Sequence, residues 1–144
     1  MISYQSEDIQ MPDINQAEIT EWIMQVAATY NKKIGNIAYF FCSDERILAV
    51  NREYLKHDYY TDIITFDYCI KSKLSGDIFI SLDTVKSNSE LFKQIYNREL
   101  YRVIIHGILH LCGINDKGPG EREIMEANEN KALALLDSIR IPKA

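Results

Sequence analysis

The sequence predicts an α+β domain: a mixed sheet of about four strands with a central buried helix packed across it. Three observations predict it. Strand-like and helix-like stretches follow one another in the order β-α-β-α-β-β-α-α-α. The two consecutive strand stretches are joined by a short polar connection, which makes them an antiparallel pair. One helical stretch turns apolar on every side through Val103, Ile104, Ile105, Ile108, Leu109, Leu111 and Cys112, as a helix surrounded by protein does.

Taken in order, Ile2 to Tyr4 reads as a short first strand. A helix follows Pro12 and Asp13, with Ile19, Trp22, Ile23, Val26, Ala27 and Tyr30 on one stripe. Lys32 and Lys33 are expected to close its last turn, where positive charge suits the helix dipole. Ile37 to Cys42 is an apolar run of strand length. Ser43, followed by Asp44 and Glu45, caps a second helix that turns Ile47, Leu48, Val50 and Tyr54 inward. A polar, aromatic loop, 56–61, leads to a β-branched strand from Asp62 to Phe66, running on toward Ile70. Lys71 to Ser75 is the hairpin connection. Asp77 to Leu82 alternates, with Ile78, Ile80 and Leu82 on one face. Asp83 is expected to cap a helix reaching about Tyr96, and Asn97 to cap the apolar helix. A loop, 117–120, then precedes a last helix carrying Met125, Ala132, Leu135, Leu136 and Ile139.

At 144 residues, 47% hydrophobic and 26% charged, with six Gly and three Pro, the chain is one domain, 1–144, able to bury a core. The amino terminus has no basic and apolar leader, and no apolar run approaches the roughly 20 residues of a membrane helix. A cytoplasmic location is therefore expected. The three cysteines are odd in number and form no C-x-x-C pair, which argues against a disulfide framework and a zinc ribbon. Net charge is −5, not the balance of a general nucleic-acid binder, although local basic patches and a bound cation are compatible with it.

The chemistry concentrates in His106-Gly-Ile-Leu-His110-Leu-Cys-Gly113-Ile-Asn-Asp116. Histidines four apart share one helix face. Gly113 lets the helix stop and the chain turn, and three residues later Asp116 can swing back toward the same point. Two imidazoles and a carboxylate are the donor set of a catalytic zinc with one open position. The other reading is a pair of hydrogen-bonded core histidines. Burying two unpartnered imidazoles costs roughly 1–3 kcal/mol per unsatisfied group, a cost that a metal removes for both at once. Cys112, two residues past His110, points about 200° away on a helix and is a poor third ligand or nucleophile.

The frame H-x-x-x-H-x-x-G-x-x-D has the spacing of the metzincin zinc motif. Gly107 stands where those proteases carry their glutamate base, and Asp116 where they carry a third histidine. A metal-dependent hydrolase is expected, with peptidase the weaker reading. The carboxylate suits harder ions somewhat better than a histidine does, so another divalent metal can replace Zn2+.

The run from His106 to Gly113 resembles the H-G-x-L-H-L-x-G core of the YbeY family of bacterial ribosomal-RNA maturation factors. That family continues Y-D-H where this chain has Ile114-Asn115-Asp116. Asn51-Arg-Glu-Tyr54, Asp58 and Thr61-Asp-Ile-Ile-Thr-Phe66 are similar to its L-N-x-x-Y-R…D-x-P-T-[ND]-V-L-S-F segment. Gly76-Asp77-Ile78 is similar to its G-D-I, and Met125 with Glu129 to its M-x-x-x-E. The resemblance implies a zinc-dependent, single-strand-specific endoribonuclease acting in 16S rRNA 3′-end maturation and ribosome quality control. It implies His106, His110 and Asp116 as metal ligands, and RNA, within the ribosome, as partner. The family's RNA-contacting arginine is Leu55 here; Arg52, Lys56 and His57 are candidate replacements.

Without a motif glutamate, the nucleophile is a metal-bound water or the RNA 2′-hydroxyl. His57 is a candidate proton donor or phosphate contact, weighed against an exposed loop histidine. Asp77 either orients a histidine or begins its strand. Lys56, Lys71, Lys73, Arg98 and Arg102 offer charge to RNA, and Tyr59, Tyr60 and Tyr68 offer stacking faces. The rival from another class is a ribosome-associated assembly factor with a structural metal.

Overall fold

The computed structural model describes residues 1–56 and 61–140. The expected element order holds. Strands β1 (Ile2–Ser6), β2 (Lys33–Cys42), β3 (Ile63–Asp67) and β4 (Lys73–Ser81) form one sheet in the order β1-β2-β4-β3. β1 and β2 are parallel, β2 and β4 are parallel, and β3 pairs antiparallel with β4, matching Ile63 to Ile80 and Asp67 to Gly76. The sheet is mixed because β3 and β4 are joined by a hairpin, whereas β1 reaches β2 through a helix.

That crossover is α1 (Gln16–Thr29), capped by the Asn15 side chain accepting from the Glu18 N–H at 3.1 Å. Its Ile19, Trp22, Ile23, Val26 and Ala27 are buried. Lys32 and Lys33 lie beyond its end. The helix stops at Tyr30, Asn31 takes φ +60°, and Lys33 already begins β2. Helix α2 (Asp44–Val50) is capped by Ser43 as expected and continues into a π-helical turn, Asn51–Leu55. The wider turn rotates Tyr54 outward to 59% exposure, so it lies edge-on against Phe66 rather than in the core.

Helix α3 (Leu82–Leu91) starts one residue before Asp83 and is capped by the Ser81 side chain. It ends well short of Tyr96. Helix α4 (Tyr96–Leu111) follows, with Ile95 at its N-cap and no capping side chain, so Asn97 is its second residue. Helix α5 (Glu121–Arg140) closes the described chain.

Helices α1, α4 and α5 share one core with the sheet face that carries Ile37, Tyr39, Phe41, Leu74, Ile78 and Ile80. α2 covers Cys42, Ile64, Phe66 and Phe79 on the opposite face. α4 is held to the sheet in two ways. The buried Tyr39 hydroxyl donates to the Ile104 carbonyl at 2.9 Å. Gly107 allows a close approach: a Cβ there would meet Ile78 Cδ1 at 3.0 Å and Ile63 Cδ1 at 3.2 Å. The motif glycine therefore faces the sheet. Trp22 Nε1 donates to the Ala132 carbonyl at 2.7 Å, tying α1 to α5.

Candidate metal centre and substrate cleft

α4 ends where the glycine reading placed its end. Gly113 takes φ +98°, its N–H donates to the His110 carbonyl at 3.0 Å, and the Ile114 N–H donates to that of Leu109 at 3.1 Å. This is a Schellman turn, and it sends the chain back along the helix. Asp116 Oδ2 comes to 3.3 Å from His106 Nε2. The histidine rings stand nearly parallel, 14° apart, with centroids 6.4 Å apart.

Each imidazole is oriented from behind. His106 Nδ1–H donates to Glu129 Oε2 at 2.7 Å, and His110 Nδ1–H donates to the Ile114 carbonyl at 3.2 Å. In the neutral ring this leaves Nε2 of each histidine as the acceptor, the state in which imidazole binds a metal. Glu129 is in turn held by Arg102, Nη1 to Oε1 at 2.9 Å, while Arg102 Nη2 donates to Asn130 Oδ1 at 2.8 Å. His106 and Asp116 thus meet, with His110 beside them. Among the described residues no three His, Cys, Asp or Glu side chains close into a ready-made metal cage. The donor set is two freed imidazole nitrogens and one carboxylate, and its chemistry fits a divalent ion.

These groups line a cleft of about 740 Å³, with Asp62, Glu99, Lys117, Arg122 and Glu126 among the other residues on its walls. Its floor is acidic. Burial pushes the Asp62 carboxyl up, against the pull of His106, and burial pushes Glu99 up against the pull of Arg102. Burial pulls the His106 imidazolium down, but the hydrogen bond and charge of Glu129, joined by Asp116 and Asp62, outweigh it and raise its pKa. A cation in this cleft would relieve several like charges together.

Other expected residues fall elsewhere. Asp77 orients neither histidine, whose Nδ1 partners are Glu129 and the Ile114 carbonyl: it lies on β4 opposite Ala38 and Phe66. Burial pushes the Cys112 thiol up to about 11 and that of Cys42 to about 12, so neither is a thiolate at neutral pH. Arg98 is engaged by Asp137 through two bonds of 2.8 and 3.0 Å. Lys71, Lys73 and Tyr68 lie on the β3–β4 hairpin side and do not line the cleft, whereas Leu55 does. His57, Tyr59 and Tyr60 lie outside the described residues.

The sequence reading passed over the role of Glu129. Its signal was a carboxylate at helical spacing from Met125, Ala132 and Leu136, on the stripe α5 buries. Lys117 and Arg122 were passed over too. Both line the cleft, and neither forms an ion pair among the described residues.

The chain matches the family described as Endoribonuclease YbeY over residues 1–137. A Phocaeicola vulgatus protein named Endoribonuclease YbeY is 73% identical over 136 residues, covering 94% of this chain and 99% of the relative. One of the same name from Bacteroides thetaiotaomicron is 69% identical over 134 residues, covering 93% and 98%. The solution structure of TM1509 from Thermotoga maritima shares the fold, with a TM-score of 0.66 at 21% identity, covering all of this chain and 97% of that one.

Proposed function

The chain belongs to the YbeY family of endoribonucleases, and on that premise we propose that it cuts single-stranded RNA in the maturation of the 16S rRNA 3′ end and in ribosome quality control. As an endoribonuclease it is a hydrolase acting on RNA. We assign His106, His110 and Asp116 as ligands of one divalent metal ion, zinc first, with a harder ion accommodated by the carboxylate. The observation that carries the assignment is the 3.3 Å approach of Asp116 Oδ2 to a His106 Nε2 whose ring is fixed by Glu129.

When bound, the ion supplies Lewis acidity toward a phosphodiester. The protein's own groups do the rest. Glu129 and the Ile114 carbonyl keep a proton on each Nδ1 and so keep both Nε2 atoms free. Lys117 and Arg122, on the cleft wall, pair with phosphate oxygens as the acidic floor cannot. Burial raises the pKa of the Asp62 carboxyl, so it binds a proton more readily than a solvated aspartate does. Gly107 leaves the helix without the glutamate base of the zinc proteases, because a larger side chain there would strike Ile78.

The test is cleavage of a single-stranded RNA by metal-loaded protein and by His110→Ala, with folding of both checked by circular dichroism. Loss of cleavage in a folded variant is the expected result. Equal cleavage would assign the activity to a contaminant. Metal analysis of the protein beside Asp116→Ala checks the third ligand, which should lower the bound metal. A chelated protein that stays folded but inactive supports catalysis over a structural metal.

A further inference from the structure

The wall of the cleft formed by the end of α3 carries groups that the proposed hydrolysis does not use. α3 closes in a second Schellman turn: the Gln94 N–H donates to the Ser89 carbonyl at 2.8 Å and the Lys93 N–H to that of Glu90 at 3.2 Å. Lys93 takes φ +53° to complete it. The turn fixes Phe92 and Gln94 on the cleft wall, beside Asn88 one helical turn earlier. Phe92 is 54% exposed, and its ring pairs with no other aromatic among the described residues. The side-chain amides of Asn88 and Gln94 have no hydrogen-bond partner among the described residues. Asn88 is partly exposed, and its unpartnered amide remains open to the cleft.

The cleft is chemically polarised. α5 runs antiparallel to α4, with Glu129 opposite His106, Asn130 opposite Arg102 and Asp137 opposite Arg98. Arg122, near the start of α5, and Lys117 therefore sit at the His110 end. Phe92 and Gln94 precede α4 and sit at the other end, roughly 15 Å along the helix axis from His106. The cationic end suits phosphate. Beyond Glu99 and Arg102, the other end presents a flat ring and two amides, the groups that stack on a base and hydrogen-bond its edge.

We infer that the Phe92–Gln94–Asn88 corner is a nucleobase subsite: with the scissile phosphate at the histidines, a base further along the strand stacks on Phe92 and meets the two amides. The inference rests on the ribonuclease reading above. Leu91 and Ile95 are 72% and 78% exposed and flank this corner in sequence, yet do not line the cleft. A protein-docking patch would use all three apolar side chains, and a base subsite only Phe92.

The test is steady-state cleavage of a short, unstructured RNA by metal-loaded protein, with thermal melts confirming that each variant folds. Phe92→Ala is expected to raise KM roughly 5- to 100-fold, the range for losing one stacked base, with kcat changed less. Phe92→Trp and Phe92→Tyr should restore KM. Leu91→Ala and Ile95→Ala should leave it at the wild-type value. In a series of RNAs with one abasic position each, a single position should raise KM for the wild type and have no further effect on Phe92→Ala. Wild-type KM in Phe92→Ala, or a flat abasic series, overturns the subsite. Leu91→Ala or Ile95→Ala matching Phe92→Ala overturns it in favour of a protein-facing patch. Failure of the wild type to cleave any RNA removes the ribonuclease reading itself, an outcome distinct from failure of the variant alone.

Discussion

Replacing Glu129 should loosen the metal centre from behind, without touching the assigned donors. Its carboxylate accepts from His106 at 2.7 Å and from Arg102 at 2.9 Å. Hydrogen bonds to charged groups contribute about 1.5–3 kcal/mol each. Arg102 keeps Asn130 as a partner, and the Arg102 and His106 side chains are 31% and 22% exposed, so water replaces part of the loss. Glu129→Ala should therefore cost about 2–3 kcal/mol of stability. Glu129→Gln fills the same space but has one oxygen for two donors, and should cost about 1–2 kcal/mol. In Glu129→Gln, metal affinity should fall about 10- to 100-fold, the usual cost of removing a partner that orients a ligand. Metal-free protein offers a separate readout. Burial, the largest influence on His106, lowers its pKa, and Glu129 is the main force opposing it, so the variant's His106 should titrate at lower pH. Competitive metal titration and histidine NMR of the metal-free protein measure these effects. A Glu129→Gln protein with wild-type metal affinity, its His106 proton still on Nδ1 and its titration unmoved, would refute the orienting role.

Gly107→Ala gains about 1 kcal/mol of helix propensity but forces a methyl to 3.0 Å from Ile78 Cδ1, an overpacking cost of about 1–3 kcal/mol; chemical denaturation should show a net loss. Glu99 is buried with its folded-state pKa raised, so the folded state holds its proton to higher pH than the unfolded chain. Its contribution is thus most favourable in acid and is lost as pH rises through the folded pKa. Melting the metal-free protein from mildly acidic to neutral pH should show Glu99→Gln losing less stability than wild type over that window. Lys117→Ala and Arg122→Ala should weaken RNA binding at every sequence alike. Each should flatten the slope of log K against log salt by about 0.7, as for one lost phosphate contact on a single strand.

The binary pattern of this chain was enough for its element order and for the helix that carries the histidines. Val103, Ile104, Ile105 and Ile108 are apolar around the whole circumference, and α4 is indeed covered on several sides. Misplaced boundaries share a cause. Asp83 and Asn97 look like caps, but the capping roles fell to Ser81 and Ile95, because helix starts were set by where β4 ended and where the Schellman turn after α3 released the chain. Tyr54 keeps helical spacing on paper, yet the π-helical turn rotates it outward. Such a turn has no periodicity of its own to detect.

What the sequence determined by itself was local: two imidazoles on one helix face, a glycine that ends the helix, and a carboxylate within reach of the turn, since i to i+4 spacing and a left-handed glycine act over a few residues whatever the surroundings. Only the tertiary structure decided which carboxylate holds His106, which cations face the cleft, and that Gly107 presses on the sheet. Glu129 lies 23 residues from His106 in the chain, and α5 brings it there by burying Met125, Ala132, Leu133 and Leu136. Those contacts follow from how faces of distant elements pack, and no short stretch of sequence encodes the angle at which they meet.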